Sequence, residues 1–145
     1  MKTKFFSLLT AFSLLGTTGI GISSLQASQT NKPSKPFLIQ GKLPHLTGMV
    51  KMMWDDEDLA LSPKQKKELL KIRKKTLTKA KSLNKQIIPL ENEIVQKSLK
   101  GVAPQELEKD VKHLAQLRAE ATMVHLQCIY NTRKVLTQEQ IDILE

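Results

Sequence analysis

His125-Leu-Gln-Cys128 is the pair of residues in this chain best suited to chemistry. At positions i and i+3 of a helix an imidazole and a thiol share one face. Together they are good ligands for zinc, copper or nickel. The same spacing also suits a small buried cysteine on an apolar stripe beside a partly exposed histidine, and both readings stand at this level. Cys128 is the single cysteine and has no partner for an internal disulfide, so it is buried, ligating or joined to another chain. A second set is His45, Met49 and Met53, at i, i+4 and i+8 on one face of a short helix predicted over Leu43 to Asp55. Imidazole with thioether suits a soft ion such as copper(I). The competing reading makes Met49, Met52, Met53 and Trp54 an apolar face packed on neighbouring helices. The acidic run Asp55-Asp56-Glu57-Asp58 has neither the glycine turn nor the alternate spacing of a calcium loop. It is better explained by the positive N-terminal end of the helix that follows. His45, His113 and His125 stand without a paired serine motif or a glycine-rich phosphate loop, which points to a protein that is not an enzyme.

Charge offers a different kind of site. Lysine and arginine number 23 against 14 acids, a net charge of +9. Between Lys64 and Lys85 there are ten basic residues and one acid, Glu68. Too few acids lie nearby for i,i+4 pairs, so this is a one-signed surface. Lys64, Lys67, Lys71, Arg73, Lys74, Lys75 and Lys81 are the candidate partner-binding residues, and a solvated face that only keeps the chain soluble is the plain alternative. Nucleic acid is an unsuitable partner, because stacking aromatics are lacking. Anionic lipid at a membrane surface, or an acidic protein segment, fits the charge better.

Two matching helix starts position all of these groups. Leu61-Ser62-Pro63-Lys64-Gln65 recurs as Leu136-Thr137-Gln138-Glu139-Gln140. Ser62 and Thr137 are N-caps, Gln65 and Gln140 reach back to complete capping boxes, and Leu61 and Leu136 stand where a hydrophobic staple belongs. Between them, Ser62 to Lys100 predicts one long helix and Pro104 to Lys134 a second, joined by a turn at Gly101-Val102-Ala103. Pro89 is expected to kink or interrupt the first helix near Lys85. Leu69, Ile72, Thr76, Ala80, Leu83, Ile87, Leu90 and Ile94 form a heptad-like seam on the first arm. Leu107, Val111, Leu114, Leu117, Ala121, Val124 and Cys128 form its partner on the second. The short turn makes the arms antiparallel, so the fold class is all-α, a long antiparallel helical hairpin with short flanking helices. Leu70, Leu77, Ile88 and Val95 lie off the seam and are left for a second copy of the chain.

The first 27 residues read as a signal peptide. Lys2 and Lys4 precede the apolar run Phe5 to Leu15, and Leu25-Gln26-Ala27 supplies a cleavage site. An uncleaved membrane anchor is the alternative reading. Residues 28–42, with Pro33 and Pro36, read as a flexible leader, and residues 43–145 as the helical domain. The expected location is a bacterial periplasm.

The paired Leu-Ser/Thr-x-x-Gln motifs flanking a helical hairpin resemble the periplasmic CpxP/Spy family, and with it the related periplasmic heavy-metal sensors and zinc-resistance-associated proteins. The likeness covers roughly Leu59 to Leu144. It implies an intertwined, curved homodimer whose basic concave side holds unfolded or acidic periplasmic proteins without ATP, or serves as adaptor to a membrane sensor protein. The metal-sensor branch implies an alternative, a copper, zinc or nickel ion held by residues in the regions of His45 and His125, with no cofactor required otherwise. The chain departs from that branch in two places: Ile129 stands where a His-x-x-x-Met pair places methionine, and Met49 rather than histidine follows His45 at i+4.

Overall fold

The computed structural model describes residues 35–39 and 41–145. The signal segment and residues 28–34 of the leader lie outside the described residues. Four helices follow in order: α1 (Leu46–Met52), α2 (Pro63–Leu99), α3 (Pro104–Val135) and α4 (Gln138–Leu144). Among the described residues no helix is long and apolar enough to cross a membrane. The principal long-range packing is between α2 and α3, an antiparallel hairpin, with α1 laid on α3 and α4.

The ends of α2 follow from side-chain and backbone chemistry. Ser62 Oγ accepts from the Gln65 N–H at 3.3 Å, and Gln65 Oε1 accepts from the Ser62 N–H at 3.0 Å, closing a capping box with Pro63 at the first helical position. At the other end Gly101 takes a left-handed φ of 79°, so that its own N–H bonds the Ser98 carbonyl and that of Val102 bonds the Lys97 carbonyl. This is a Schellman closure, and a residue with a Cβ fits that φ poorly. Pro104 then opens α3 at its first position.

Of the two outcomes expected at Pro89, a kink or an interruption, the interruption does not occur: the helix is continuous from Pro63 to Leu99 with Pro89 inside it. One missing N–H withholds a single bond from the Lys85 carbonyl. Leu83 and Ile87 just before it, and Leu90 just after, are packed against Leu117 and Ala121 and hold the helical path.

The seam is formed largely as its periodicity dictates. Leu69, Leu83 and Ile87 of α2 and Leu107, Leu117, Ala121 and Cys128 of α3 are buried. Val111 is the exception, being 48 % exposed. Near the turn the arms are tied instead by Leu107 and by the Lys97 ammonium, which bridges Glu93 at 2.7 Å and Asp110 at 2.8 Å and is held firmly in its charged form by them.

Two apolar clusters anchor the remaining pieces. Val50 of α1, Leu59, Leu61, Leu69, Leu136 and the α4 residues Ile141 and Leu144 make one, with Met49, Met53 and Trp54 against it. Leu83, Ile87, Leu117 and Ala121 make the other, and Phe37 packs on it. The described part of the leader is thereby tied to α3. The Leu38 N–H donates to Thr122 Oγ1 at 2.8 Å, and Arg118 donates to the Lys35 carbonyl at 2.9 Å.

The helix α1 is shorter than its apolar pattern suggests. After Met53 the acidic run makes a turn in which Asp56 accepts the N–H groups of Asp58 and Leu59, while Asp55 bridges Lys66 at 2.8 Å. Those two acids therefore shape a loop and bind a lysine, in place of the helix-end role expected of them.

Candidate functional site

The two motif copies meet. Gln65 donates to Gln140 Oε1 at 2.7 Å and to the Val135 carbonyl at 2.9 Å, and Gln140 donates to the Leu59 carbonyl at 2.8 Å. Gln140 also completes the second capping box, with Thr137 Oγ1 accepting its N–H at 3.2 Å and its Oε1 accepting the Thr137 N–H at 3.0 Å. Each glutamine thus caps its own helix and reaches across to the other copy. Leu61 and Leu136 are buried in the cluster beneath this clasp. Backbone groups in the loops at this end, which no helix satisfies, find partners here. The clasp closes the open end of the hairpin, which makes these six residues structural in this chain. Capping was legible from the sequence, whereas the cross-contact between residues 75 apart was not.

Of the five candidate metal ligands, two come together. The His45 and His125 rings stack at 4.6 Å between centroids and 17° between planes, with Phe37 4.9 Å from His125. His125 is 6 % exposed, and neither ring nitrogen meets a hydrogen-bond partner among the described residues. Burial lowers its pKa below the ordinary histidine value, the neighbouring His45 and Lys35 push the same way, and the nearby Pro44 carbonyl opposes them. Cys128 Sγ lies 3.8 Å from Thr47 Oγ1, and Met49 and Met53 pack into the apolar cluster. Among the described residues no group of three or more His, Cys, Asp or Glu is placed to hold a metal ion. Within the expected donor set the two imidazoles are in mutual contact, while the thioethers pack against the core and the thiol lies beside a hydroxyl.

The basic residues do not share one face. Lys71 and Lys75, joined by Lys79, line the α2 side of a groove of about 580 Å³ between α2 and α3. Arg73 points away from it, toward the Thr47 carbonyl at 3.4 Å. Lys64, Lys67, Lys74 and Lys81 are exposed, do not line the groove, and have no acidic partner within ion-pair distance among the described residues. The groove floor is apolar, with Ile72 from α2 and Val124, Cys128 and Val135 from α3, and the exposed Met123 stands at its rim. Among the described residues, none of its lining comes from the leader or α1. Lys79 bridges Glu120 at 2.8 Å across one end, and Lys134 lies 4.6 Å over the Tyr130 ring at the other. Lys79, Met123 and Lys134 escape a reading of α2 alone, because the pairing register of two helices brings them together.

A second exposed apolar row runs along α2 at Leu70, Leu77, Ile88 and Val95, from 37 to 56 % exposed. Helical spacing sets it beside Lys67, Lys74 and Lys81. The class of protein defined by these features is an all-α hairpin, clasped at its open end, with a lysine-edged apolar groove between its arms. Comparison with protein-family models, with curated proteins and with solved structures finds no match for this chain.

Proposed function

We propose that this protein is a non-enzymatic holding or adaptor protein of the periplasm, related to the CpxP/Spy family, which binds unfolded or acidic polypeptide on the basic surface of its helical hairpin. The observation that carries the reading is the groove itself: among the described residues, it has lysines along one edge, Lys75 of these without an acidic partner, apolar side chains on its floor, and a lining drawn from the two arms alone. Charge draws an acidic client from a distance, and the apolar floor holds it loosely once it arrives. The paired Leu-Ser/Thr-x-x-Gln motifs support the family relationship. Replacing Lys71, Lys74, Lys75 and Lys81 together with Glu is expected to abolish suppression of client aggregation at low salt, with helicity retained. Unchanged suppression would return the basic surface to a role in solubility alone.

The row Leu70, Leu77, Ile88 and Val95 supports a further feature of the same reading, a homodimer in which a second hairpin covers these side chains. Two antiparallel helices bury a thin core, and a partner supplies the missing apolar contact. Sedimentation is expected to find a dimer at micromolar concentration that Leu77→Glu with Val95→Glu dissociates. A stable, well-folded monomer of the unaltered chain would reject it.

Metal sensing is the second reading, and the contact between His45 and His125 is what favours it. Calorimetric titration of reduced protein with copper(I), zinc and nickel decides it. Submicromolar binding lost in both His45→Ala and His125→Ala would put this reading first, and binding that is absent or indifferent to them would end it.

A further inference from the structure

The groove between α2 and α3 has a definite shape as well as a charge. On α2 its lining runs from Glu68 to Lys79, about 17 Å of helix, and on α3 from Glu120 to Val135, about 22 Å, at 1.5 Å per residue. Those are the lengths of three to four helical turns. The groove is open along its length, bounded on one side by Lys71, Lys75 and Lys79, which stand one turn apart, and on the other by Met123, Gln127 and Asn131. Lys79 is engaged by Glu120, and Lys71 lies 3.9 Å from Glu68. Lys75 has no acidic partner among the described residues. Gln127 Nε2 donates to Asn131 Oδ1 at 2.9 Å, so the α3 edge is polar but uncharged.

We propose that this groove receives an amphipathic helix that carries acidic residues, one turn apart, beside its apolar stripe. The inference deepens the holding function above and rests on it for the premise that this surface meets polypeptide. Three observations select a helix. Two antiparallel helices present a trough that a third can fill, adding its own apolar stripe to Ile72, Met123, Val124 and Val135. An extended segment would bring unpaired backbone groups onto an apolar floor, whereas a helix satisfies its own. A single alkyl chain would remain half wet in an open trough, while sites for small ligands enclose most of the ligand surface. The lysine spacing of four residues then sets the register of the acids, with Lys75 as the central contact.

The test uses a labelled 18-residue peptide with leucines at heptad a and d positions and glutamates beside them, read by fluorescence anisotropy at low salt. Three comparison probes are a version with a central proline, a version with lysines in place of the glutamates, and oleate. The acidic helix is expected to bind in the micromolar range and the proline version about tenfold more weakly. Lys75→Glu and Met123→Glu, both at exposed positions, are each expected to weaken binding about tenfold, whereas Lys42→Glu, with the same charge change at an exposed position before α1, leaves it unaltered. Lys75→Glu should in turn improve binding of the lysine-flanked peptide, an outcome that loss of fold does not produce. Equal affinity for the proline version, indifference to Lys75→Glu, or oleate binding sensitive to these replacements with no helix binding would each overturn the proposal. Aggregation suppression that persists without helix binding removes this inference alone. Helix binding that persists without suppression removes the holding function and leaves the groove's specificity standing.

Discussion

Gln140→Ala is expected to lower the stability of the fold by about 2–3 kcal/mol, because it removes a cap and leaves the Leu59 carbonyl and the Thr137 N–H without partners. In thermal unfolding this appears as a midpoint about ten degrees lower, at fixed protein concentration. Gln65→Ala should cost less, since the Val135 carbonyl it frees belongs to a half-buried residue, whereas the Leu59 carbonyl freed in Gln140→Ala belongs to a fully buried one. The two replacements should not add: Gln65 donates to Gln140 Oε1, so the double variant is expected to be more stable than the sum of the two losses predicts. Denaturant titration of the four proteins gives the coupling directly. Additive losses would mean that each glutamine caps its own helix and no more.

The second large effect concerns acid. Burial holds the His125 pKa below its unfolded value of about 6.5, so below that pH the unfolded chain binds more protons than the folded one. The stability that neutral His125 contributes is therefore complete above about pH 6.5 and is lost as pH falls through its lower folded value. The slope from this one group can reach about 1.4 kcal/mol per pH unit. His125→Phe keeps a ring between Phe37 and His45 and removes two buried nitrogens that lack hydrogen bonds. It should flatten the loss of stability between pH 7 and pH 5 and raise stability at pH 5.5, since an apolar group of similar shape carries no such cost. An unchanged pH profile in the variant would place the titration elsewhere. Because His125 joins the leader and the His45 segment to α3, hydrogen exchange should show residues 35–50 opening first in acid.

Local chemistry was legible in the sequence, and relations between distant segments were not. Ser62 with Gln65, Thr137 with Gln140, and the Gly101 turn are written within a few residues, and each forms as its side chains dictate. The seam residues follow a period, so Leu69, Leu83, Ile87, Leu117 and Ala121 are buried together, and the all-α hairpin follows from them. Pro89 does not break α2 because a local penalty of one hydrogen bond is outweighed by packing on both sides of it. The spatial arrangement of the metal candidates was not legible for a related reason. Met49 and Met53 share a helical face with His45 by spacing, but the core needed their bulk, and only the stacking of His45 on His125 brings the two sets together. The basic stretch was visible as composition. Its division into a groove edge at Lys71 and Lys75, an inward Arg73 and an outer row at Lys74 and Lys81 depends on the rotation of α2 against α3, which no local pattern states.

Photo-crosslinking tests the central claim, that the α2–α3 groove holds polypeptide. A benzophenone side chain is placed in turn at Thr76 and Met123 in the groove, at Val95 on the outer apolar row, and at Lys112 of α3, which lies nearer the turn and does not line the groove. Each protein is irradiated with an unfolded acidic client at low salt. Crosslinks to the client are predicted at Thr76 and Met123, lost on addition of salt, with little at Lys112 and crosslinks between copies of the chain at Val95. Client crosslinks of equal yield at all four positions, or at Val95 and not in the groove, would contradict the account.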